Sequence, residues 1–297
     1  MITPDHVATE TDDLVSDHPA DQLLAAIDRV GSPVCVGIDP VLERLPDDCL
    51  VAGEPLPSID RFCRGVVEAV APHVGVCKYQ SACFERYGAA GVAVLEGLLA
   101  HAERLGIVVI LDAKRGDIGI SARHYAAAAR GRAPWVTVNA YLGTDGIEPF
   151  LEHGGAFALA RTSNPGGDAL QRLELADGRS IAEAVADLLA EAGDAHLGAS
   201  GYSALGAVVG ATKRADAERL RTRMPRQLFL VPGYGAQGGG VDDVLPCFNS
   251  DGRGAVITAS RSVIYAFDAD GGGAWTDAVG RAARQLATEI ADGLGRS

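Results

Sequence analysis

The sequence predicts an α/β protein built as a single (β/α)8 (TIM) barrel with an N-terminal helical extension. Eight short runs are rich in Val, Ile and Leu, and their apolar residues are continuous rather than alternating, which is typical of parallel strands buried on both faces. Stretches rich in Ala, Leu, Glu and Arg, which favour helices, separate most of these runs. Eight strands alternating with helices form one barrel most economically, and a doubly wound open sheet with extra strands is the alternative.

The predicted strands and helices alternate along most of the chain. The strands are 33–39, 74–80, 107–112, 135–139, 155–161, 205–211, 228–232 and 255–260. The helices are 59–71, 89–105, 121–129, 146–153, 181–192, 215–223 and 274–294. We expect residues 1–30 to form the helical extension, packed outside the barrel, and residues 31–297 to form the catalytic barrel domain. Segments 40–58 and 162–179 are long for barrel connections, which is typical of functional lids or surface excursions.

Composition and charge argue against several functional classes. The net charge of −13 argues against nucleic-acid binding, which requires a basic surface. No apolar run is long enough to span a membrane, and the acidic N-terminus lacks the profile of a secretory signal, so we expect a cytoplasmic protein. The six cysteines include no C-x-x-C pair, and the seven histidines show no H-x-x-x-H spacing. We therefore expect buried thiols and no zinc site.

Charged residues stand at the ends of the first three predicted strands. Asp39 ends the first strand, Lys78 lies near the end of the second, Asp112 ends the third, and Lys114 and Asp117 come shortly after it. The active site of a (β/α)8 barrel gathers at the C-terminal ends of its strands, where unpaired buried charges would be costly. Only three of the 26 basic residues are lysines, and two of them occupy these positions. This placement favours a site that needs a compact cation able to release a proton.

The D-x-K-x-x-D run of Asp112, Lys114 and Asp117 is the most specific motif. Because side chains in a strand alternate, Asp112 and Lys114 project to one side, and Asp117 lies on the turn that opens the next helix. A lysine between carboxylates stays protonated, so Lys114 is predicted to act as an acid rather than as a nucleophile. A metal site between the two aspartates is a weaker alternative, because the ammonium would compete for the same oxygens.

A second group of residues predicts a phosphate site. The glycine-rich stretch 232–240 follows the seventh strand, and Ser260 and Arg261 end the eighth. Loops after these two strands frequently bind phosphate in (β/α)8 barrels. Glycines let backbone N–H groups approach the phosphate oxygens, and the guanidinium of Arg261 can pair with them in a bidentate manner.

Together these residues resemble the orotidine 5′-phosphate decarboxylase family, in particular its longer bacterial and archaeal branch. The resemblance covers residues 34–266. It rests on the blocks VCVGIDP, CKYQSACFERYG, LDAKRGDIG, TVNAYLG, RTSNPG, VVGAT, FLVPGYGAQGG and TASRSVIYA. Two positions depart from the family pattern: Ala140 stands where a proline is usual, and Ile120 replaces a small residue. Both concern the shape of a loop.

The resemblance implies decarboxylation of orotidine 5′-phosphate to uridine 5′-phosphate in pyrimidine biosynthesis, without a cofactor or metal. Asp39 and Lys78 would hold the ribose hydroxyls and complete a network of alternating lysine and aspartate charges. Asp112 would lie beside the departing carboxylate, and Lys114 would deliver a proton to C6 of the base.

The resemblance also implies a homodimer with shared active sites. Asp117 would reach into the site of the neighbouring subunit, and Ser121 would approach the ribose bound by that subunit.

Three further residues are implied to bind the nucleotide. Ser163 would hydrogen-bond the amide edge of the pyrimidine, with Thr162 and Asn164 as nearby polar alternatives. Gln237 and Arg261 would bind the phosphate.

Three other functions are also compatible with the same residues. A relative that acts on a sugar phosphate with a divalent metal could share the D-x-K-x-x-D run. A Schiff-base aldolase could use Lys114 or Lys78, although a lysine flanked by aspartates is too basic for that role. A barrel that binds nucleotide without catalysis is a further alternative.

Overall fold

The computed structural model describes residues 16–211, 213–235, 239–269 and 273–295. Its eight strands are all parallel and form a closed barrel in chain order, in which the eighth strand pairs with the first. The predicted (β/α)8 barrel is therefore confirmed, and the open sheet is excluded.

The strands and helices occupy most of the described chain. The strands are β1 (Val34–Ile38), β2 (Val76–Gln80), β3 (Val108–Arg115), β4 (Trp135–Val138), β5 (Gly155–Arg161), β6 (Ser203–Val209), β7 (Gln227–Pro232) and β8 (Ala255–Ala259). The helices are α1 (Pro19–Val30), α2 (Pro55–Val70), α3 (Ala82–Glu85), α4 (Gly88–Arg104), α5 (Gly119–Ala129), α6 (Glu148–Leu151), α7 (Asp168–Gln171), α8 (Ile181–Gly193), α9 (Arg214–Arg223), α10 (Val241–Val244), α11 (Arg261–Ile264) and α12 (Trp275–Gly293). Each of the eight predicted strands overlaps an observed one. The largest extension is in β3, which continues to Arg115, three residues past its predicted end.

Apolar side chains fill the half of the barrel interior that contains the amino-terminal ends of the strands. Trp135 and Phe157 stack with their ring centroids 4.4 Å apart, among Val76, Ile110 and other fully buried residues. Gly155 permits this packing, because a Cβ at that position would lie 2.6 Å from the indole ring of Trp135. This apolar layer leaves the opposite end of the interior for polar side chains.

Helix α1 covers the amino-terminal opening of the barrel. Its residues Leu23 and Ile27 belong to the same interior cluster as Trp135, and the Trp135 Nε1–H donates to the Pro19 carbonyl at 3.3 Å. Helix α1 lies within the segment expected to form the N-terminal helical extension, and it packs against the amino-terminal end of the barrel. The interior rings exposed at this end need an apolar cover, and the amphipathic face of α1 supplies it. Residues 1–15 of the predicted extension lie outside the described residues.

Two other expectations concern the cysteines and membrane-spanning segments. All six cysteines are free thiols, and every one except the half-buried Cys83 is buried. Among the described residues, no helix is both long and apolar enough to cross a membrane.

Candidate active site

A cavity of about 400 Å³ opens at the carboxyl ends of the strands. Its volume lies in the usual range for small-ligand sites, and its position is that of the active site in barrels of this type. Six of the nine predicted site residues line it: Asp39, Lys78, Asp112, Lys114, Ser163 and Arg261. They come from the ends of five different strands, so only the closed barrel brings them together.

The centre of the cavity is a chain of alternating charges. The Nζ of Lys78 lies 3.0 Å from Oδ2 of Asp112 and 3.5 Å from Oδ1 of Asp39. The Nζ of Lys114 lies 2.6 Å from the other oxygen, Oδ1, of Asp112. Asp112 and Lys78 are almost fully buried, whereas the side chain of Lys114 is 47% exposed. Of the two lysines, Lys114 is therefore the one that remains accessible to a ligand.

The charges shift the pKa values of the two buried groups in opposite directions. Burial alone would raise the pKa of Asp112, but the ammonium groups of Lys78 and Lys114 lower it to about 2. Burial alone would lower the pKa of Lys78, but Asp39 and Asp112 raise it above its usual value. At neutral pH the cavity thus holds an ionised Asp112 carboxylate beside a charged Lys78.

An irregularity in β3 sets the direction of the Lys114 side chain. Leu111 pairs with Val136 and Arg115 pairs with Val138, so four steps along β3 match two steps along β4. Lys114 has a φ of 44°, which makes it the single non-glycine residue of the described chain in the left-handed region. A lysine in this conformation is strained by about 1 kcal/mol or more, and such strain is typical of functional sites. The regular alternation of side chains in a strand predicted that Asp112 and Lys114 would project to one side. Their side chains do meet, but in a strand that is made irregular by this bulge.

Two residues that the sequence analysis did not assign complete the shell of Asp112. The hydroxyl of Thr137 donates to Oδ1 of Asp112 at 2.8 Å and accepts the Lys114 N–H at 2.9 Å. The Nε2 of Gln80 lies 3.4 Å from Oδ2 of Asp112. Gln80 lies two residues after Lys78 on the same face of β2, so strand periodicity could have identified it. Thr137 gave no such signal, because its role depends on the neighbouring strand.

The opposite side of the cavity contains the predicted phosphate residues. Gly233, Ser260 and Arg261 all line it. Gly233 has a φ of 102°, a conformation that favours glycine. Gly37 on β1 allows the approach of Ser260, because a Cβ there would lie 1.9 Å from the Ser260 hydroxyl oxygen. Within the described chain the guanidinium of Arg261 has no hydrogen-bond or ion-pair partner, so it is available to an anion.

The loop after β5 contributes three polar residues to the cavity, Thr162, Ser163 and Asn164. The Thr162 hydroxyl is engaged by Gln171, whose Nε2 donates to it at 2.9 Å. The side chains of Ser163 and Asn164 make no hydrogen bond to any described part of the protein. This difference weakens Thr162 as a ligand contact and leaves the other two as candidates.

Tyr265 supports the segment that carries Asp39. Its buried hydroxyl accepts the Val41 N–H at 2.7 Å and donates to the Asp39 carbonyl at 3.4 Å. The guanidinium of Arg44 lies 3.9 Å from the centroid of the Tyr265 ring and pairs with Asp268. The chain after β8 therefore holds the chain after β1, a connection that the sequence analysis did not predict.

Three predicted site residues are not brought into the cavity. Asp117 lies on the turn after β3, where its Oδ1 accepts the N–H of Ile118 at 2.8 Å, and it does not line the cavity. Ser121, on α5, does not line it either. Gln237 lies outside the described residues.

Residues 32–271 match the sequence profile described as the Orotidine 5′-phosphate decarboxylase / HUMPS family. The chain belongs to this family. The match spans all eight strands and every cavity residue named above. The family resemblance inferred from the motifs is thereby confirmed.

Bacterial and archaeal members of the family are similar over most of their length. An orotidine 5′-phosphate decarboxylase from Rhodopirellula baltica is 44% identical over 267 residues, which cover 83% of this chain and 88% of that protein. One from Halobacterium salinarum is 40% identical over 270 residues, covering 90% and 96% respectively. The solved structure of Leishmania donovani OMP decarboxylase superposes on this chain with a TM-score of 0.78 at 30% identity. The superposition covers 94% of this chain and 100% of that one.

Proposed function

We propose that this protein decarboxylates orotidine 5′-phosphate to uridine 5′-phosphate in pyrimidine biosynthesis. The observation that carries the proposal is the accessible Lys114 ammonium, 2.6 Å from the buried Asp112 carboxylate, in a cavity whose opposite side holds Arg261, a guanidinium without a partner among the described residues. This arrangement suits a substrate with a reacting carbon at one end and a phosphate at the other. The 44% identical relative carries the name of this activity.

In the proposed reaction the bond between C6 of the pyrimidine and its carboxylate breaks, and the electron pair stays on C6 as CO2 leaves. Lys114 stabilises the developing negative charge and then donates a proton from Nζ to C6. Asp112, ionised because its pKa is about 2, lies beside the substrate carboxylate, and departure of CO2 relieves the repulsion between the two negative charges. The reaction as proposed uses no cofactor and no metal, because the lysine charges supply the stabilisation.

Other cavity residues hold the nucleotide in this proposal. Asp39 and Lys78 bind the ribose hydroxyls, and Ser163 bonds the amide edge of the base. Arg261 binds the phosphate together with Gln237. The binding energy of this remote phosphate is available to align the base with Lys114.

We further propose a homodimer in which Asp117 and Ser121 act in the site of the partner subunit. Asp117 lies outside the cavity of its own chain, although it belongs to the same motif as Asp112 and Lys114. Exposed apolar side chains surround its turn: Ile118 is 53% exposed and Ile120 60%. Apolar surface of this kind next to a charged motif residue is typical of an interface.

The test is a spectrophotometric assay with orotidine 5′-phosphate, with and without a metal chelator. The proposal predicts turnover that the chelator does not reduce. Absence of turnover would refute it, and loss of turnover on chelation would favour the metal-dependent sugar-phosphate alternative. Borohydride added with substrate should leave the protein mass unchanged, because no Schiff base forms at Lys114 or Lys78.

A further inference from the structure

Arg161, the last residue of β5, lies beneath the loop that carries Ser163. Its side chain is 1% exposed, and all three of its guanidinium nitrogens donate hydrogen bonds. Nε donates to Asp216 on α9 at 2.7 Å, Nη1 to Gln171 at 3.1 Å and Nη2 to Asp168 at 2.6 Å. Two of these acceptors belong to the loop after β5, so the buried cation ties that loop to the barrel wall.

Gln171 extends the connection to the cavity. Its Oε1 accepts the backbone N–H of Thr162 at 2.9 Å, and its Nε2 donates to the Thr162 hydroxyl at 2.9 Å. The loop is compact at this point, since a Cβ on Gly167 would lie 2.6 Å from the Thr162 hydroxyl oxygen. Both the backbone and the side chain of Thr162 are therefore held by one amide, which Arg161 orients.

Ser163, the residue after Thr162, is confined by the end of β6. A Cβ on Gly210, at the end of β6, would lie 2.8 Å from Cα of Ser163, and the Gly210 N–H donates to the Arg161 carbonyl at 2.7 Å. Ser163 therefore lies between Gly210 at the end of β6 and Thr162, which Gln171 holds in place. The side chains of Ser163 and Asn164 are the loop's cavity-lining groups without a partner in the described chain.

Two carboxylates compensate the buried charge of Arg161. Lys213, the third lysine of the chain, donates to both oxygens of Asp168 at 3.1 and 3.2 Å. Burial alone would lower the pKa of Arg161, but the carboxylates of Asp216 and Asp168 raise it. The two carboxylates therefore compensate the buried charge of Arg161, and they pair in addition with Lys213 and with the exposed Arg219. None of these side chains belongs to the Lys78, Asp112 and Lys114 group, so the proposed chemistry leaves them without a role.

We propose that Arg161 and Gln171 are positioning residues for base recognition, which hold Ser163 and Asn164 so that the site prefers a 4-oxo pyrimidine nucleotide to a 4-amino one. The two bases present reversed donor and acceptor groups at N3 and C4. Polar groups held in fixed positions discriminate between such edges, because a mismatched buried group stays unpaired. A loosened loop lets these groups rearrange and lets water enter, so the discrimination falls. This inference rests on the proposed function.

The test compares uridine 5′-monophosphate, cytidine 5′-monophosphate and ribose 5-phosphate as inhibitors of the full-length enzyme. Wild type should bind the uridine nucleotide at least about tenfold more tightly than the cytidine nucleotide. Gln171→Leu should reduce that ratio at least about fivefold and leave ribose 5-phosphate inhibition unchanged. Gln171→Glu, which keeps an acceptor for Arg161 and for the Thr162 N–H, should retain most of the ratio. Leu170→Ala is the matched control, because Leu170 is an exposed neighbour on the same short helix.

The outcomes separate this inference from the proposed function. An active wild type whose ratio is unchanged by Gln171→Leu, at an unchanged melting temperature, overturns the positioning role. An equal loss for ribose 5-phosphate also overturns it, because it would indicate a general collapse of the cavity. A wild type without orotidine 5′-phosphate turnover overturns the proposed function instead. If Gln171→Leu does not fold, Asp168→Asn, which weakens the ties to Arg161 and Lys213, should reduce the ratio about twofold.

Discussion

Replacement of Lys114 by alanine should abolish turnover while leaving the protein folded and able to bind nucleotide. The side chain is 47% exposed, and Asp112 would keep the Lys78 ammonium at 3.0 Å and the Thr137 hydroxyl at 2.8 Å. We therefore expect a change in the free energy of unfolding of no more than about 1 kcal/mol. The catalytic loss combines a general acid, about 10²–10⁴-fold, with stabilisation of the developing charge, about 10²–10³-fold. We expect kcat to fall at least about 10⁴-fold, or about 5 kcal/mol.

The assay is steady-state decarboxylation, paired with the inhibition constant for uridine 5′-monophosphate and a thermal melt. Lys114→Arg is the informative companion, because it keeps a cation but cannot release a proton at neutral pH. Its kcat should recover up to about 10²–10³-fold over the alanine variant, because the charge is kept, and should stay at least about 10²-fold below wild type, which would show that proton donation is needed. Turnover above a tenth of wild type in folded Lys114→Ala would refute the role of this residue.

Arg261→Ala should weaken binding of uridine 5′-monophosphate about 10–100-fold and leave binding of uridine unchanged, and equal losses for both would contradict a phosphate contact. Mixing the inactive Asp117→Ala and Lys114→Ala proteins should restore up to about a quarter of wild-type activity, since half of the random dimers are mixed and each holds one intact site. No recovery in verified mixed dimers would argue against shared sites. A further prediction concerns the free energy of unfolding and involves Asp21. Burial alone would raise the pKa of Asp21, but hydrogen bonds from Ser200 and its neighbours lower it from 3.8 to about 2. Its stabilisation is complete above pH 3.8 and is lost as the pH falls toward 2, so Asp21→Ala should cost about 1 kcal/mol at neutral pH and much less at pH 2 in denaturant titrations.

The fold and most of the candidate site could be predicted because local patterns encode them. Continuous apolar runs of strand length require burial on both faces, and eight of them separated by helices fit a closed barrel. Charged residues at the ends of such runs must then face the carboxyl end of the barrel. The group of Asp39, Lys78, Asp112 and Lys114 follows from this argument, and so does the position of Arg261 across the cavity from it.

Other features depend on neighbours that are distant in sequence. Arg161 is balanced by Asp216, 55 residues away, and Thr137 supports Lys114 from the adjacent strand. Periodicity assigns a side chain to a face, but it does not tell which partners on other strands and helices will meet it there. The same limit applies to helix α1: the sequence predicted a helix in the N-terminal extension, but not that its Leu23 and Ile27 would cover the interior cluster around Trp135.

The sequence by itself determined the barrel, the order of its strands and the charged residues that gather at its mouth, because hydrophobic periodicity and strand ends are local properties. Only the tertiary structure decided the left-handed backbone of Lys114, the shell around Asp112 and the buried arginine beneath the loop after β5. These features depend on contacts between residues of different strands and helices. Their geometry is set by packing and charge compensation across the barrel, which no single stretch of chain contains.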